Sequence, residues 1–506
     1  MYELVHSLTK AEKRYFRHFA SLHVIGEKNN YLRLFEVIGG QKQFDEASIS
    51  APFKGLNFYL LKRHLQKSLL RSLREFHAAS SITIRINTLV NEVEVLYKKG
   101  FVKAALKLVH HAKKIASRHE QHPAILQLLE WEVKLLSLPR KLVSSYAKIT
   151  RVFQEAEGQM ELNKNFLNCF HFRMNVGALH NKEVIIRRSN MTGEQNKFIR
   201  SIHDLSARNL SKKAQWQLYS GAGIFFSTLG DYSQSNQYHK KAARIYEKNN
   251  FLITDDLRQY LLSLYTQSIS DFNLKKYEEA LGNLQIIRDV LFSLTKKQNV
   301  QELFLHALLL EGFILMDMGK YKKALPVIRE LAGQMDIYGA LVNTTLRTDF
   351  YYQMTGFWFC MGDYKQARAW LNKMLQDEDA PKENPARYRF ARLMQLLVLF
   401  ELREFHQVEN LLPASRKFLR KKGQLYKIEE VILSFIASYV RNKEMISKKE
   451  HSLKFVQLKK KLQRLAKDKK EGIVLKIFNY ADWADSNIRH KTIAGVAVEE
   501  QNHAQI

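Results

Sequence analysis

Apolar residues recur along this chain at intervals of three and four, not two, over most of its length, and that period is the signature of amphipathic helices. From Gln215 to Met374 a second, longer period appears. A helix carrying a small residue runs into a Gly or polar turn, an aromatic residue follows, and a second helix opens on Ala or Ser. Clean copies read GAGIFFSTLGDYSQSNQYHKKA from Gly221, EGFILMDMGKYKKALPVIREL from Glu311 and MTGFWFCMGDYKQARAWLNKM from Met354. A degraded copy, FNLKKYEEALGNLQII, begins at Phe272. The turn aromatics Tyr232, Tyr277, Tyr321 and Tyr364 are 45, 44 and 43 residues apart, a regular spacing that marks stacked helical hairpins.

The residue types fit that geometry. Gly223, Gly312 and Thr355 stand seven residues before Gly230, Gly319 and Gly362, two helical turns back on one face, where a small side chain lets helices approach to about 8–10 Å. Gly at the turn supplies the left-handed conformation that ends a helix. Tyr232, Tyr277, Tyr321 and Tyr364 then close the open end, and Ser235, Ala280, Ala324 and Ala367 give the second helix its own small contact. The pattern resembles the tetratricopeptide repeat, carried most fully by Gly223, Phe226, Gly230, Tyr232, Ser235 and Ala242. The resemblance implies an all-α solenoid whose first helices line a concave surface. Its units are longer than the family's roughly 34 residues.

The remaining chain is read in the same terms. Residues 1–80 are expected to form a helical module that caps the solenoid's first apolar face: Thr9 opens a helix with Glu12 as its capping-box partner, a second runs from Asn30 to Gly39-Gly40, and a short third starts at Asp45. A long helix follows, with Phe58, Leu61, Leu65, Leu69, Leu73 and Phe76 on one face and Arg63, Lys67, Arg71 and Arg74 on the other. SLTKAEKRYFRHFAS, NNYLRLFEVI and LLKRHLQKSLLRSLREFH together resemble the N-terminus of an uncharacterised family of bacterial proteins with such repeats, a resemblance that implies no activity. The solenoid is expected over 87–423, clearest at 215–375. Two poorly bounded hairpins are expected between Pro123 and Leu179, a basic loop or irregular pair over 185–213, basic capping helices over 424–491, and a flexible tail over 492–506.

Composition narrows the class. The chain has 506 residues with only 7 Pro and 21 Gly, and no run approaches the roughly 20 apolar residues of a membrane span. Two cysteines, Cys169 and Cys360, exclude a disulfide scaffold and point to a reducing cytoplasm. Net charge is +30. The excess is concentrated outside the clear repeats: residues 81–214 hold 23 Lys/Arg against 11 Asp/Glu, and residues 215–430 hold 29 against 24. Such a field favours anionic partners, and equally suits a Lys-rich solvated surface.

Candidate chemistry is sparse. His119 and His122 flank Glu120 with no third ligand nearby, short of the three a catalytic zinc needs. Cys169 and His171 fall on different helical faces. Gly221-x-Gly223 follows a helix where a dinucleotide loop would follow a strand. Phe225, Phe226, Tyr351, Phe357 and Trp358 fall on repeat positions and are expected in the core. No catalytic residue, cofactor or metal is therefore expected. The leading expectation is a non-enzymatic scaffold binding a protein or peptide segment on the concave surface, with Gln217, Tyr219, Asn343, Arg347 and Gln353 as exposed contacts. The alternative is a nucleic-acid-linked regulator using Arg63, Lys67, Arg71 and Arg74, or the basic run Arg441–Glu471, although the stripe Phe455, Leu458, Leu462 and Leu465 in that run is more often the buried face of a last solenoid helix.

Overall fold

The computed structural model describes residues 1–22, 29–41, 43–78, 81–137, 142–183, 192–293, 298–338, 342–383, 385–421, 426–442, 444, 447–468, 471 and 478–504. Among the described residues the regular structure is helical throughout. The N-terminal module comprises α1 (Tyr2–Ser7), α2 (Lys10–Leu22), α3 (Asn30–Gly40), α4 (Glu46–Ser50) and α5 (Phe58–Phe76). Its caps explain its boundaries. The Thr9 backbone N–H donates to Glu12 at 2.7 Å and the Glu12 N–H donates to Thr9 Oγ1 at 3.2 Å, a reciprocal capping box. Asn29, Asp45 and Asn57 cap the next three α-helices. Phe16, Leu34, Phe35, Ile38, Leu65 and Leu69 form the module's core.

Hairpins follow. Their helices are α6 (Ile82–Lys98), α7 (Val102–Arg118), α8 (His122–Leu136), α9 (Leu142–Glu183), α10 (Thr192–Ser206), α11 (Lys212–Leu229), α12 (Tyr232–Glu247) and α13 (Asn250–Asp255). Then come α14 (Leu257–Asn273), α15 (Tyr277–Ser293), α16 (Gln298–Asp317), α17 (Tyr321–Tyr338), α18 (Thr344–Cys360), α19 (Tyr364–Gln376) and α20 (Ala380–Glu383). The last are α21 (Pro385–Glu401), α22 (Phe405–Lys421), α23 (Lys427–Arg441), α24 (Lys448–Leu465), α25 (Tyr480–Arg489) and α26 (Ile493–Ala504). The fold is all-α, an α-solenoid of tetratricopeptide-like hairpins with an N-terminal helical module.

One turn is repeated. Gly100, Gly230, Gly319 and Gly362 have φ between 67° and 79°. In each the residue after Gly donates its N–H back five residues, as Asp231 does to Phe226 O at 2.9 Å and Asp363 to Trp358 O at 3.0 Å, which is the Schellman closure of a helix. The degraded turns keep the geometry without the glycine. Lys275 and Arg403 have φ 61° and 59°, and Lys276 and Glu404 donate to Asp271 O and Leu399 O at 2.8 and 3.0 Å. The small residues then meet where the two helices cross. Ser235, Ala280, Ala324 and Ala367 are fully buried. A Cβ on Gly223 would sit 2.5 Å from the His239 ring, and one on Gly312 would sit 2.7 Å from Ile328 Cδ1.

Chain contacts gather the described residues into two compact units: Met1–Asn175, Thr192–Ala222 and Lys240–Tyr260 in the first; Val176–Met191, Gly223–His239 and Leu261–Ile506 in the second. Three expectations are corrected. In place of two hairpins after Pro123 the chain makes α8, the 42-residue α9 and α10. Helix α9 runs through Gly158 and Gly177 because no proline or left-handed residue interrupts it, and each interior Gly costs only about 1 kcal/mol. Most of the stretch 185–213 is helix, in α10 and the start of α11; its residues 185–191 lie outside the described residues. The stretch expected as a frayed tail carries α26, whose Ala494 and Val496 are buried. Before it, Tyr480 and Trp483 of α25 enter the core beside Phe400 and Phe455. Phe455, Leu458 and Leu462 of α24 are buried too, so that basic helix lays its apolar face on the stack.

Candidate functional site

Three neighbouring helices of the second unit leave a cleft of about 520 Å³. Helix α17 contributes Arg329 and Asp336, α18 contributes Trp358, and α19 contributes Gln366, Trp370 and Lys373. The α19 side is fixed by its cap, since Asp363 Oδ1 accepts from the Gln366 N–H at 3.0 Å. Trp370 is buried against Tyr351, ring centroids 5.9 Å apart. Lys373 Nζ lies 4.0 Å from the Trp370 centroid, a cation–π contact, and 3.4 Å from Asp336. The Trp358 indole N–H is buried without a hydrogen-bond partner among the described residues, a group that costs about 1–3 kcal/mol when left unpaired. The cleft thus brings together cations, carboxylates, an amide and indole surface. It is lined chiefly by the second helices of two successive hairpins.

The first-helix residues expected as exposed contacts fall differently. Asn343 is exposed; it caps α18 by accepting from the Leu346 N–H at 2.9 Å and donates to Glu302 at 3.3 Å. Arg347 is half-buried and paired with Asp377 at 2.7 Å. Tyr219 is half-buried in a cluster with Trp216. Gln353 is half-buried, with its Oε1 inaccessible and without a partner among the described residues. Gln217 is corrected outright: it is buried, and its Oε1 accepts from Arg173 Nε at 2.5 Å. Arg173 lies over Trp216, so the amide is consumed in holding a guanidinium inside the first unit.

On α5, Arg63, Lys67, Arg71 and Arg74 are all exposed. Arg71 pairs with Glu75 at 3.3 Å along the helix, an interaction worth a few tenths of a kcal/mol. The histidines weighed for metal have other partners: His119 Nδ1 is 2.7 Å from Asp255 and His122 Nδ1 is 2.8 Å from Gln159. Among the described residues no group of three His, Cys, Asp or Glu is placed to hold a metal ion. Cys169 is buried, and burial pushes its thiol up to about 11, away from nucleophilic character.

Sequence reading missed a polar seam inside the second unit. His239 occupies the position held by Leu284, Ile328 and Leu371 in the other copies, and burial pushes its imidazole down to about 3. Its Nδ1 is 3.1 Å from Thr266 Oγ1. Beside it Ser235 Oγ donates to Gly223 O at 2.9 Å and lies 2.8 Å from Ser270 Oγ, while Asn236 donates to the buried Asp271 at 2.6 Å. The signal was present just before the degraded copy, where residues 263–271 of α14 read SLYTQSISD against ALLLEGFIL at the matching positions 307–315.

No protein-family model matches the chain, and no curated protein matches it. Among solved structures, the apo form of the quorum sensor NprR from B. thuringiensis is similar, with a TM-score of 0.41 and 14% sequence identity over 74% of this chain and 98% of that chain. That similarity is too slight to carry any role across.

Proposed function

We propose that this protein is a non-enzymatic interaction scaffold that holds a segment of a partner protein on its hairpin surface. Stacked helix pairs present long grooves and concave faces. The observation that carries the reading is the α17–α18–α19 cleft, where Arg329, Lys373, Gln366 and Asp336 surround indole surface. That mixture of donors, acceptors and flat apolar area suits a peptide, whose backbone needs both kinds of hydrogen-bonding group and whose side chains need apolar contact. Asn343, Arg347 and Gln353 extend the candidate set along the first helix of a hairpin in the second unit, where the tetratricopeptide resemblance puts partner contacts, and Tyr219 is a separate candidate in the first unit. The free cysteines Cys169 and Cys360 fit the cytoplasm as its compartment, and membership of an uncharacterised bacterial repeat family remains the reading of its N-terminus. Affinity capture from the native cell, followed by binding measurements with the recovered protein, tests the scaffold. Arg329→Glu with Lys373→Glu, both at exposed positions, is expected to weaken binding at least tenfold. Capture at background level, or an unchanged affinity, overturns the reading.

A second reading, a nucleic-acid-linked role, is favoured by one observation: the four α5 cations are exposed together. Affinity for duplex DNA should then fall steeply with salt, with a slope of roughly −0.9 per phosphate contact. Arg63→Glu with Arg71→Glu should flatten that slope, and an unchanged slope removes α5 from the mechanism.

A further inference from the structure

Helix α9 carries a row of exposed apolar residues. Tyr146, Phe153, Met160, Leu167 and Met174 are spaced by seven without exception. They are 73%, 56%, 59%, 54% and 42% exposed, and Phe170 at 37% continues the row's edge. The opposite side of α9 is the one packed inward. Cys169 and Val176 are fully buried, and each lies nine residues, about two and a half turns, from Met160 and Leu167 respectively. A row spaced by seven keeps to one side of a helix that winds around another, which is the geometry of contact between two supercoiled helices. The row therefore fits a helix, and it spans about 42 Å of helix axis from Tyr146 to Met174.

The flanking charges select which helix. Glu157 and Lys164 stand four residues beyond Phe153 and Met160, on one edge of the row and both exposed. Their midpoint falls within a residue of Met160, which is the midpoint of the row itself. Two copies of α9 laid antiparallel about that point bring Glu157 of each copy against Lys164 of the other, twice by symmetry. In a parallel pair the two copies of this edge lie on opposite sides of the seam, so Glu157 and Lys164 would not meet across it. Lys164 makes an exposed 3.8 Å contact with Glu161 along the helix, a pairing weak enough to exchange for one across an interface. The exposed surface of the six apolar side chains amounts to roughly 600 Å² per copy and about 1,200 Å² for two, above the about 1,000 Å² a specific interface needs. From the heptad row, its exposure and this charge symmetry we infer that the protein forms a two-fold symmetric homodimer through an antiparallel pairing of α9.

Sedimentation velocity of the full chain across the micromolar range tests the pairing. The wild type is expected to dimerise, and Phe153→Glu with Leu167→Glu, both at exposed positions, to be monomeric with unchanged helical circular dichroism. Glu157→Lys alone should weaken dimerisation by about tenfold through like-charge contacts, and adding Lys164→Glu should restore it. Orientation is read by oxidative cross-linking: Met160→Cys should cross-link to itself, whereas Phe153→Cys should cross-link only when mixed with Leu167→Cys. A monomer at every concentration, a dimer indifferent to Phe153→Glu with Leu167→Glu, or efficient self-cross-linking of Phe153→Cys would each overturn the inference. None of these results bears on the partner cleft, whose residues lie on α17, α18 and α19.

Discussion

At Arg403 the backbone takes φ 59°, the conformation that Gly230, Gly319 and Gly362 hold in the other turns. A side chain there costs about 1–2 kcal/mol, partly offset because Gly is freer in the unfolded chain. Arg403→Gly should therefore stabilise the protein by about 0.5–1 kcal/mol, read as a rise in the denaturation midpoint. Gly362→Ala should do the reverse, since φ 79° is compounded by a Cβ 2.5 Å from Thr492 Cγ2. The crossing glycines separate two costs in the same way. Ala in place of helical Gly gains about 1 kcal/mol of propensity. At Gly312 the opposing atom is the far end of Ile328, which can rotate, so Gly312→Ala should be nearly neutral. At Gly223 the whole His239 ring blocks the space, and Gly223→Ala should lose about 1–3 kcal/mol. These positions were legible because a helix crossing dictates residue size. The His239 ring was not, because its slot is defined by what faces it across the hairpin, and the sequence lists only one side of that contact.

At the scale of the element, the turns were legible wherever Gly and Tyr mark them, and the helices between 123 and 213 were not. Two hairpins are expected from the helical period between Pro123 and Leu179, yet Tyr146 and Phe153 are exposed along one unbroken helix. Periodicity identifies an apolar face; it does not say whether the partner of that face belongs to the same chain. Gln217 fails for the mirror reason, since a polar residue reads as exposed until an Arg173 is placed against it. Helix starts show a further device invisible to spacing. Glu120, at φ 50° after α7, accepts from the backbone N–H groups of Lys212 and Lys213, both at 2.8 Å, and so caps α11 from 92 residues away. Glu120→Ala should cost about 1–2 kcal/mol, while Glu120→Gln, which keeps one acceptor oxygen, should lose less. Equal losses in urea titrations of the two variants would show that the carboxylate does not cap that helix.

For the whole molecule, the buried seam makes stability depend on acid. His239 is held neutral by burial down to about 3, far below the ordinary 6.5, and burial lowers His306 in the same direction. Below pH 6.5 the unfolded chain takes up protons that these folded imidazoles refuse. Stability is therefore intact above about pH 6.5 and falls as the pH drops, with a limiting slope for His239 of about 1.4 kcal/mol per pH unit. Carboxylates such as Glu12, held low by the bonds from Thr9 and His77 against a raising effect of burial, add their loss only below the usual 4.5. The chain's net charge is already +30 and rises further in acid, and self-repulsion then lowers stability as well. His239→Leu separates the two effects, because it removes one buried imidazole and leaves the exposed ones. Leucine already fills the corresponding positions 284 and 371, so the variant should fold, and its midpoint between pH 6.5 and 4.5 should fall less steeply than that of the wild type. Parallel profiles for the two proteins would mean that repulsion alone sets the acid limit and that His239 takes up its proton in the folded state.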